Sequence, residues 1–144
     1  MKNVIILQGL PGAGKSYFVN SFKEKTIVCS ADDYFYKSGK YIFEPSKLSE
    51  AHRACFRKFI DAIQYNGTVI VDNTNTTAIE IAPYVLGGEA YGCTVEIIRI
   101  LCDPEKAFAR NIHNVPEHAI YAMNDRIMKF NCPPWWKVTT IKAG

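Results

Sequence analysis

The 144-residue sequence contains no segment that would place it in or across a membrane. Its first apolar run ends at Gln8-Gly9, which is too short for a signal peptide, and no stretch approaches the ~18 consecutive apolar residues that a membrane helix needs. Low-complexity tails and internal repeats are also absent. The hydrophobic fraction of 48% and the charged fraction of 22% are ordinary for a folded protein. We therefore expect one domain over residues 1–144, located in the cytoplasm and without membrane contact.

Cysteine and histidine lack the spacing that binds zinc or builds a disulfide framework. The five cysteines include no C-x-x-C pair, and the three histidines do not cluster with them. We therefore predict reduced and mostly buried thiols at Cys29, Cys55, Cys93, Cys102 and Cys132.

Charge of neither sign is in large excess, since the formal net charge is +3. This mild positive charge permits an anionic substrate but does not require nucleic acid. Two signatures of other phosphate-handling proteins are missing as well. No N-K-x-D motif is present to recognise guanine, and Asp72-Asn73-Thr74 lacks the second aspartate of a D-x-D phosphatase site. These absences argue against a GTPase and against a phosphatase of that type.

The sequence does contain a complete phosphate-binding loop (P-loop). The segment Gly9-Leu-Pro-Gly-Ala-Gly14-Lys15-Ser16 fits G-x-x-x-x-G-K-[ST] and follows an apolar run over residues 4–7. Glycines let backbone N–H groups turn around the phosphates, Lys15 can reach the β- and γ-oxygens, and the Ser16 hydroxyl can hold Mg²⁺. We expect the nucleotide to contact this loop and the helix after it, at Gly9, Pro11, Gly12, Ala13, Gly14, Lys15, Ser16 and Tyr17.

Strand and helix patterns alternate along the chain. Apolar runs predict strands over residues 4–7, 26–29, 68–71, 93–101 and 135–141. Helices are predicted from 15 to about 25, from 48 to 63 with Asn66-Gly67 as the terminator, and on both sides of residues 111–115. Residues 37–45 are expected to be ordered without regular structure, and a helix over 77–91 to be interrupted by Pro83 and weakened by Gly87-Gly88. The pattern predicts a three-layer α/β fold with a small lid, whose five-stranded parallel sheet has strand 4–7 between strands 68–71 and 93–101.

Acidic residues follow two of the predicted strands at their carboxyl ends, where ligands bind in such sheets. Asp32 and Asp33 follow strand 26–29, and Asp72 follows strand 68–71. One aspartate can hold the metal and another can deprotonate an attacking hydroxyl. The structural alternatives are a turn former at Asp72 and a helix cap at Asp32 or Asp33. Since adjacent carboxylates seldom share one function, we expect one of that pair to be chemical and the other structural.

The order of six motifs resembles the P-loop polynucleotide 5′-hydroxyl kinase family, in the AAA/zeta-toxin-like kinase group. These motifs are GLPGAGKS, ADDYF, KYIFEPSKLSEAH, VIVDNTNT, PYV and ARNIHNVP. The resemblance is greatest to the small kinase domain of a eukaryotic ubiquitin-ligase-binding protein and to its stand-alone viral and bacterial relatives. It implies transfer of the γ-phosphoryl group of ATP, with Mg²⁺, to the 5′-hydroxyl of DNA or RNA.

The resemblance also implies residue functions. Asp32 matches the general base, with Asp33 as its neighbour, and Arg110 matches the lid arginine that neutralises charge on the transferred group. The D-N-T-N motif places Asp72, Asn73 and Asn75 on the acceptor and metal side, so that the predicted metal ligands are Ser16 and Asp72.

Some positions depart from the family pattern, and they leave the acceptor open. Asn114 stands where glycine is usual, Phe35 replaces an arginine of the phage enzymes, and no second lid arginine is present. His113 could donate to a phosphate or face solvent, while Arg53 and Arg57 could follow a nucleic-acid backbone or form a solvated face with Asp61. The aromatic residues could stack on a base or simply pack, as at Tyr34, Phe35, Tyr36, Tyr41 and Phe43.

We expect single-stranded or end-exposed nucleic acid as the acceptor, and the sequence names no protein partner. The alternatives are a small-molecule kinase with a nucleoside, sugar or antibiotic acceptor, and a non-catalytic nucleotide-binding module.

Overall fold

Strands and helices alternate along the chain in the computed structural model, which describes residues 2–22, 25–65 and 67–143. The strands are β1 (Lys2–Gln8), β2 (Thr26–Cys29), β3 (Tyr36–Lys37), β4 (Lys40–Tyr41), β5 (Gly67–Asp72), β6 (Thr94–Leu101) and β7 (Val138–Lys142). The helices are α1 (Lys15–Asn20), α2 (Leu48–Ala62), α3 (Ala78–Ala90), α4 (Pro104–Arg110) and α5 (Glu117–Met128), with 3-10 turns at Ala31–Phe35 and Pro45–Lys47.

The main sheet has five strands in the order β2-β5-β1-β6-β7, and all of its pairings are parallel. The P-loop strand β1 is therefore central, between β5 and β6. Its register sets Leu7 opposite Asp72, so the P-loop and Asp72 leave the sheet at the same edge. The predicted α/β fold and the predicted neighbours of the central strand are confirmed.

Apolar residues on both faces of the sheet create two cores. Val4 and Ile6 belong to the core under α2 and α3. Leu7 and Ile98 point to the opposite face, where they join residues of α4 and α5, including Ala107. Alternating side chains along each strand thus produce the three predicted layers.

Two predicted boundaries were wrong. Helix α1 ends at Asn20, where the Ser21 hydroxyl donates to the carbonyl of Phe18 at 2.6 Å and competes with the helical bonds. The last strand begins at Val138 because residues 133–136 form a turn closed by a hydrogen bond from Trp136 N–H to the Pro133 carbonyl. The predicted continuation of α1 through residues 23–24 and the predicted helix stop at Asn66 lie outside the described residues.

Helix α3 is continuous through Pro83, contrary to the predicted interruption. Because Pro83 has no N–H, the carbonyl of Ile79 lacks its helical hydrogen-bond donor. Ile79 lies on the exposed side of the helix, so water can donate to this carbonyl instead. Gly88 allows the helix to approach the sheet closely, since a Cβ there would lie 2.9 Å from a methyl of Val95 and 3.3 Å from one of Val4. Close packing compensates for the low helix propensity of this glycine.

Residues 36–41 form a short β-hairpin, whereas no regular structure was expected there. Tyr36 pairs with Tyr41 and Lys37 with Lys40 in an antiparallel arrangement. The turn between them places Ser38 and Gly39 at positive φ. The hairpin follows the acidic turn 31–35 directly and lies beside the carboxyl edge of the sheet.

None of the helices in the described segments is both long enough and apolar enough to cross a membrane. All five cysteines have free thiols, and those of Cys29, Cys55 and Cys93 are buried.

Candidate active site

The P-loop connects β1 to α1 in a conformation that only glycine adopts easily. Gly12 and Gly14 have φ of 81° and 100°, and Gly14 is the N-cap of α1. No side chain among the described residues caps this helix end, so its N–H groups and positive dipole face the space above the loop. This is the arrangement that a chain of phosphates requires.

Lys15 is folded back onto the loop. Its ammonium donates to the carbonyl of Gly9 at 2.8 Å and lies 3.4 Å from that of Leu10. Removal from water lowers the pKa of Lys15, while the charges of Asp72 and Asp32 act in the opposite direction. The two acids and the lysine therefore share one electrostatic environment, as the strand order predicted. Ser16 and Tyr17 are exposed next to Lys15.

Helix α4 packs directly on the P-loop. A Cβ added at Gly12 would lie 2.2 Å from the carbonyl oxygen of Ala107 and 3.1 Å from the backbone nitrogen of Asn111. The loop thus touches the backbone of the helix that ends in Arg110. The glycine is required here both for its φ and for this close approach.

We predict that Gly12→Ala destabilises the protein more than Gly39→Ala does. Gly39 has an almost identical φ of 80°, but nothing lies within 4 Å of its added Cβ, so this variant reports backbone strain alone, about 1–2 kcal/mol. The contact at Gly12 adds roughly 1–3 kcal/mol of overpacking. Urea unfolding of both variants measures the difference, and equal midpoints would contradict the close contact between loop and helix.

Asp32 and Asp33 differ in their surroundings, although they are adjacent. The 3-10 turn that carries them is capped by Ser30, whose hydroxyl accepts from Asp32 N–H at 3.2 Å, so Asp33 is not the cap. Oδ1 of Asp32 accepts from the hydroxyl of Tyr41 at 3.3 Å, and Oδ2 lies 3.4 Å from Nδ1 of His113. Asp33 is exposed. Among the described residues, the hydrogen bonds and ion pairs of side chains that could orient a carboxylate here involve Asp32 and not Asp33.

The loop after β5 is joined to both other loops. Oδ1 of Asn73 accepts from Ala31 N–H at 2.9 Å, which fixes the acidic turn. Asn75 is only 2% exposed, and its amide donates to the carbonyl of Leu7 at 2.7 Å. Its backbone carbonyl accepts from the side chain of Gln8 at 2.9 Å. The structure therefore surrounds Asn75 with protein groups, and its hydrogen bonds join this loop to the end of β1.

Gln8 and Tyr41 belong to the site but were not assigned to it from the sequence. Gln8 is fully buried at the end of β1, and its Oε1 accepts from Nε of Arg99 at 2.8 Å. A glutamine within an apolar strand is a signal that could have identified it, because buried polar groups need partners. The contact between Tyr41 and Asp32 depends on the hairpin, which was not predicted.

The end of α4 contributes Arg110, and the loop between α4 and α5 contributes His113. Arg110 is exposed at the last position of α4. His113 lies over the hairpin, stacked on the ring of Tyr41 with a centroid distance of 3.9 Å and an angle of 8°. Asn114 has φ of 55°, and asparagine is one of the few residues that tolerate this conformation. Asn114 can therefore adopt the positive φ for which glycine is usual at this position, so the loop conformation is kept.

A few oxygen ligands near Lys15 suit Mg²⁺, which keeps several waters and needs only one or two carboxylates besides the phosphates. Residues 2–22, 25–65 and 67–143 contain no group of three or more His, Cys, Asp or Glu that could hold a metal. Burial raises the pKa of Asp72, the charges of Asp32 and Asp33 raise it further, and Lys15 lowers it. A divalent cation beside Asp72 would relieve this accumulation of negative charge. Ser16 and Asp72 remain the predicted ligands.

Solved structures of several kinases and related proteins share this fold. The Pnkp1/Rnl/Hen1 RNA repair complex matches with a TM-score of 0.74 at 20% identity, covering 89% of this chain and 44% of that chain. A gluconokinase from Sinorhizobium meliloti matches with 0.65 at 11% identity, covering 98% and 82%. The tunicamycin resistance protein of Deinococcus radiodurans matches with 0.61 at 12% identity, covering 99% and 86%. At these identities the likeness shows the fold.

Sequence comparison extends the likeness to a human protein and to a family. The chain is 32% identical over 139 residues to NEDD4-binding protein 2 of Homo sapiens, an alignment that covers 91% of this chain but only 8% of that protein. The family described as AAA domain matches residues 4–129. Because this match covers most of the chain and includes the P-loop, the acidic turn and the Arg110 helix, the chain belongs to the AAA domain family.

Proposed function

We propose that this domain transfers the γ-phosphoryl group of ATP to the 5′-hydroxyl of DNA or RNA. Asp32 accepts the proton of the acceptor hydroxyl, whose oxygen attacks the γ-phosphorus. The bond from this phosphorus to the bridging oxygen breaks, and ADP leaves. Lys15 and Arg110 neutralise charge on the phosphoryl group during transfer. Mg²⁺, held by Ser16 and Asp72, supplies further neutralisation of the phosphates when bound.

The observation that carries this proposal is the position of Asp32. The turn that carries it is tied to the loop after β5 by the hydrogen bond from Ala31 N–H to Oδ1 of Asn73, and the charge of Asp32 raises the pKa of Lys15, so the carboxylate lies near the P-loop. Oδ1 and Oδ2 both have neighbours on the acceptor side, in the hairpin and in the α4–α5 loop. A hydroxyl placed between Asp32 and the γ-phosphate would have the base on one side and the phosphorus that it attacks on the other.

The surface beside Asp32 supports a nucleic-acid acceptor. Tyr36 and Phe43 are about half exposed, at 46% and 47%, and Lys37 and Lys40 lie in the same hairpin. Exposed aromatic rings next to lysines can stack on bases and contact the backbone. Arg57 is exposed on α2, and the ion pairs between described residues do not include one with Asp61. Phe35, by contrast, is buried and packs at an angle on Phe43.

A small-molecule acceptor is the second candidate. A gluconokinase and a tunicamycin resistance protein share the fold over 98% and 99% of this chain. Phe35 leaves no cation at the position where the phage enzymes have an arginine for the acceptor phosphate. The same base and P-loop could then serve a nucleoside, sugar or antibiotic hydroxyl.

We predict label transfer from γ-labelled ATP to a 5′-hydroxyl oligonucleotide, and none to the same oligonucleotide with a 5′-phosphate. Backbone binding releases counterions, so the KM for the oligonucleotide should rise with salt. The slope should correspond to only a few phosphates, because the net charge is +3. Nucleosides, sugars and antibiotics are assayed beside the DNA and RNA oligonucleotides. Transfer to one of these small acceptors, with none to either oligonucleotide, would establish the second candidate instead.

A further inference from the structure

The side chain of His113 joins the α4–α5 loop to the acidic turn. Its Nδ1 lies 3.4 Å from Oδ2 of Asp32, and its Nε2 lies 3.2 Å from the hydroxyl of Tyr36. The ring stacks on Tyr41, and the side chain is only 20% exposed. Three separate contacts therefore fix the ring, so this histidine is not an idle surface residue.

The loop that carries His113 is braced internally. Oδ1 of Asn111 accepts from His113 N–H at 3.1 Å, and Nδ2 of Asn111 donates to the carbonyl of Val115 at 2.9 Å. Asn114, which lies between His113 and Val115, adopts the left-handed conformation that turns the chain. Because the backbone on both sides of His113 is constrained, the position of the loop determines the position of the imidazole.

The Asp32 carboxylate is held at both oxygens by this arrangement. The hydroxyl of Tyr41 donates to Oδ1, and the same Tyr41 ring supports the imidazole that faces Oδ2. In the tautomer that carries its proton on Nδ1, that nitrogen can donate to the carboxylate 3.4 Å away, and Nε2 can accept from the hydroxyl of Tyr36. A base held by two neighbours in this way retains one orientation, as general-base catalysis requires.

We propose that His113 is a positioning residue for Asp32, an inference that rests on the proposed function. His113 lies three residues after Arg110 in the segment that packs on Gly12 of the P-loop. The α4–α5 loop therefore supplies the contact at Oδ2, while the hairpin supplies the contact at Oδ1. Loss of His113 frees Oδ2 and lowers the turnover number, while the P-loop contacts stay intact.

The test compares His113→Ala, His113→Asn and His118→Ala. Misplacement of a catalytic group by about 1 Å can cost on the order of 10²-fold. We expect a loss of that size in kcat for His113→Ala, with the KM for ATP unchanged. Asparagine places an amide N–H near the position of Nδ1, so His113→Asn should recover most of the lost kcat. His118, exposed in the first turn of α5, is the matched control and should behave as the unaltered protein.

Two kinetic results would overturn the inference. If His113→Ala keeps or raises kcat, the histidine does not position the base, and a lowered acceptor KM in that variant would show that it competes with the acceptor for the Tyr41 ring. If asparagine is no better than alanine, Nδ1 is not the group that acts.

A spectroscopic measurement separates failure of this inference from failure of the proposed function. Asp32→Asn should shift the imidazole ¹⁵N resonances of His113 in the nucleotide-free protein, whereas Asp33→Asn should leave them in place. This readout needs no acceptor. Absence of oligonucleotide phosphorylation with the expected ¹⁵N shifts would reject only the acceptor, and equal shifts in both variants would reject the His113–Asp32 contact.

Discussion

Asp32→Asn is expected to lower the turnover number by roughly 10²–10⁴-fold, the usual contribution of a general base. An asparagine of the same shape keeps a partner for Tyr41 but cannot take the proton of the acceptor hydroxyl. Asp33→Asn is expected to retain activity, because Asp33 is exposed and the neighbours that hold Asp32 do not contact it. Turnover at saturating ATP and acceptor measures both effects.

Stability measurements serve as the control for this pair. Ser30 caps the acidic turn, so neither aspartate variant should lose the ~1 kcal/mol that a missing cap costs. Ser30→Ala should lose it and retain most of its activity. If Asp33→Asn is inactive while Asp32→Asn turns over normally, the base has been assigned to the wrong neighbour.

Lys15→Ala and Arg110→Ala are each expected to lower kcat by ~10²-fold or more. Each variant removes a cation from charge that grows on the phosphoryl group in the transition state. Lys15 already lies beside the P-loop carbonyls, and the loop is also held by the contact between Gly12 and Ala107. The fold should therefore survive the loss of the lysine, as circular dichroism and thermal unfolding can show.

Lys106→Ala is the matched control for the arginine. Lys106 is exposed on α4, so its loss removes one positive charge from the same helix without removing a predicted phosphate contact. Near-normal turnover in either Lys15→Ala or Arg110→Ala, with saturating ATP and Mg²⁺, would contradict the assignment of that residue.

Local patterns in the sequence were sufficient to predict the framework of the site. The P-loop spacing predicts positive φ at Gly12 and Gly14, and both are found. The Asp103-Pro104 pair is typical of an N-cap followed by proline at the first helical position, and Asp103 does cap α4, its carboxylate accepting from Glu105 N–H at 2.9 Å. Such features depend on residues that are close in the chain, so their physical causes are visible in the sequence.

Contacts between distant segments could not be predicted in this way. Pro83 predicts a broken helix from local sequence, but the free energy lost with its hydrogen bond is small because that turn of α3 faces solvent. The presence of glycine at position 88 is explained by its close contact with Val4 and Val95, which lie on distant strands of the sheet. The pair of Asp32 and His113 joins residues separated by two strands of the main sheet and three helices. These side chains meet because the hairpin brings Tyr41 into contact with both of them, and no local pattern in the sequence indicates this.

The strand order also gives the P-loop and the acidic turn different local stabilities. Strand β1, which leads into the P-loop, is paired on both sides. Strand β2, which leads into the acidic turn, has four residues, and within residues 2–22, 25–65 and 67–143 it pairs with β5 alone. Edge strands with few partners open at a lower free energy than central ones. A transient opening of β2 would carry Asp32 away and leave the nucleotide-binding loop folded, so such a partly opened molecule would hold ATP without its base.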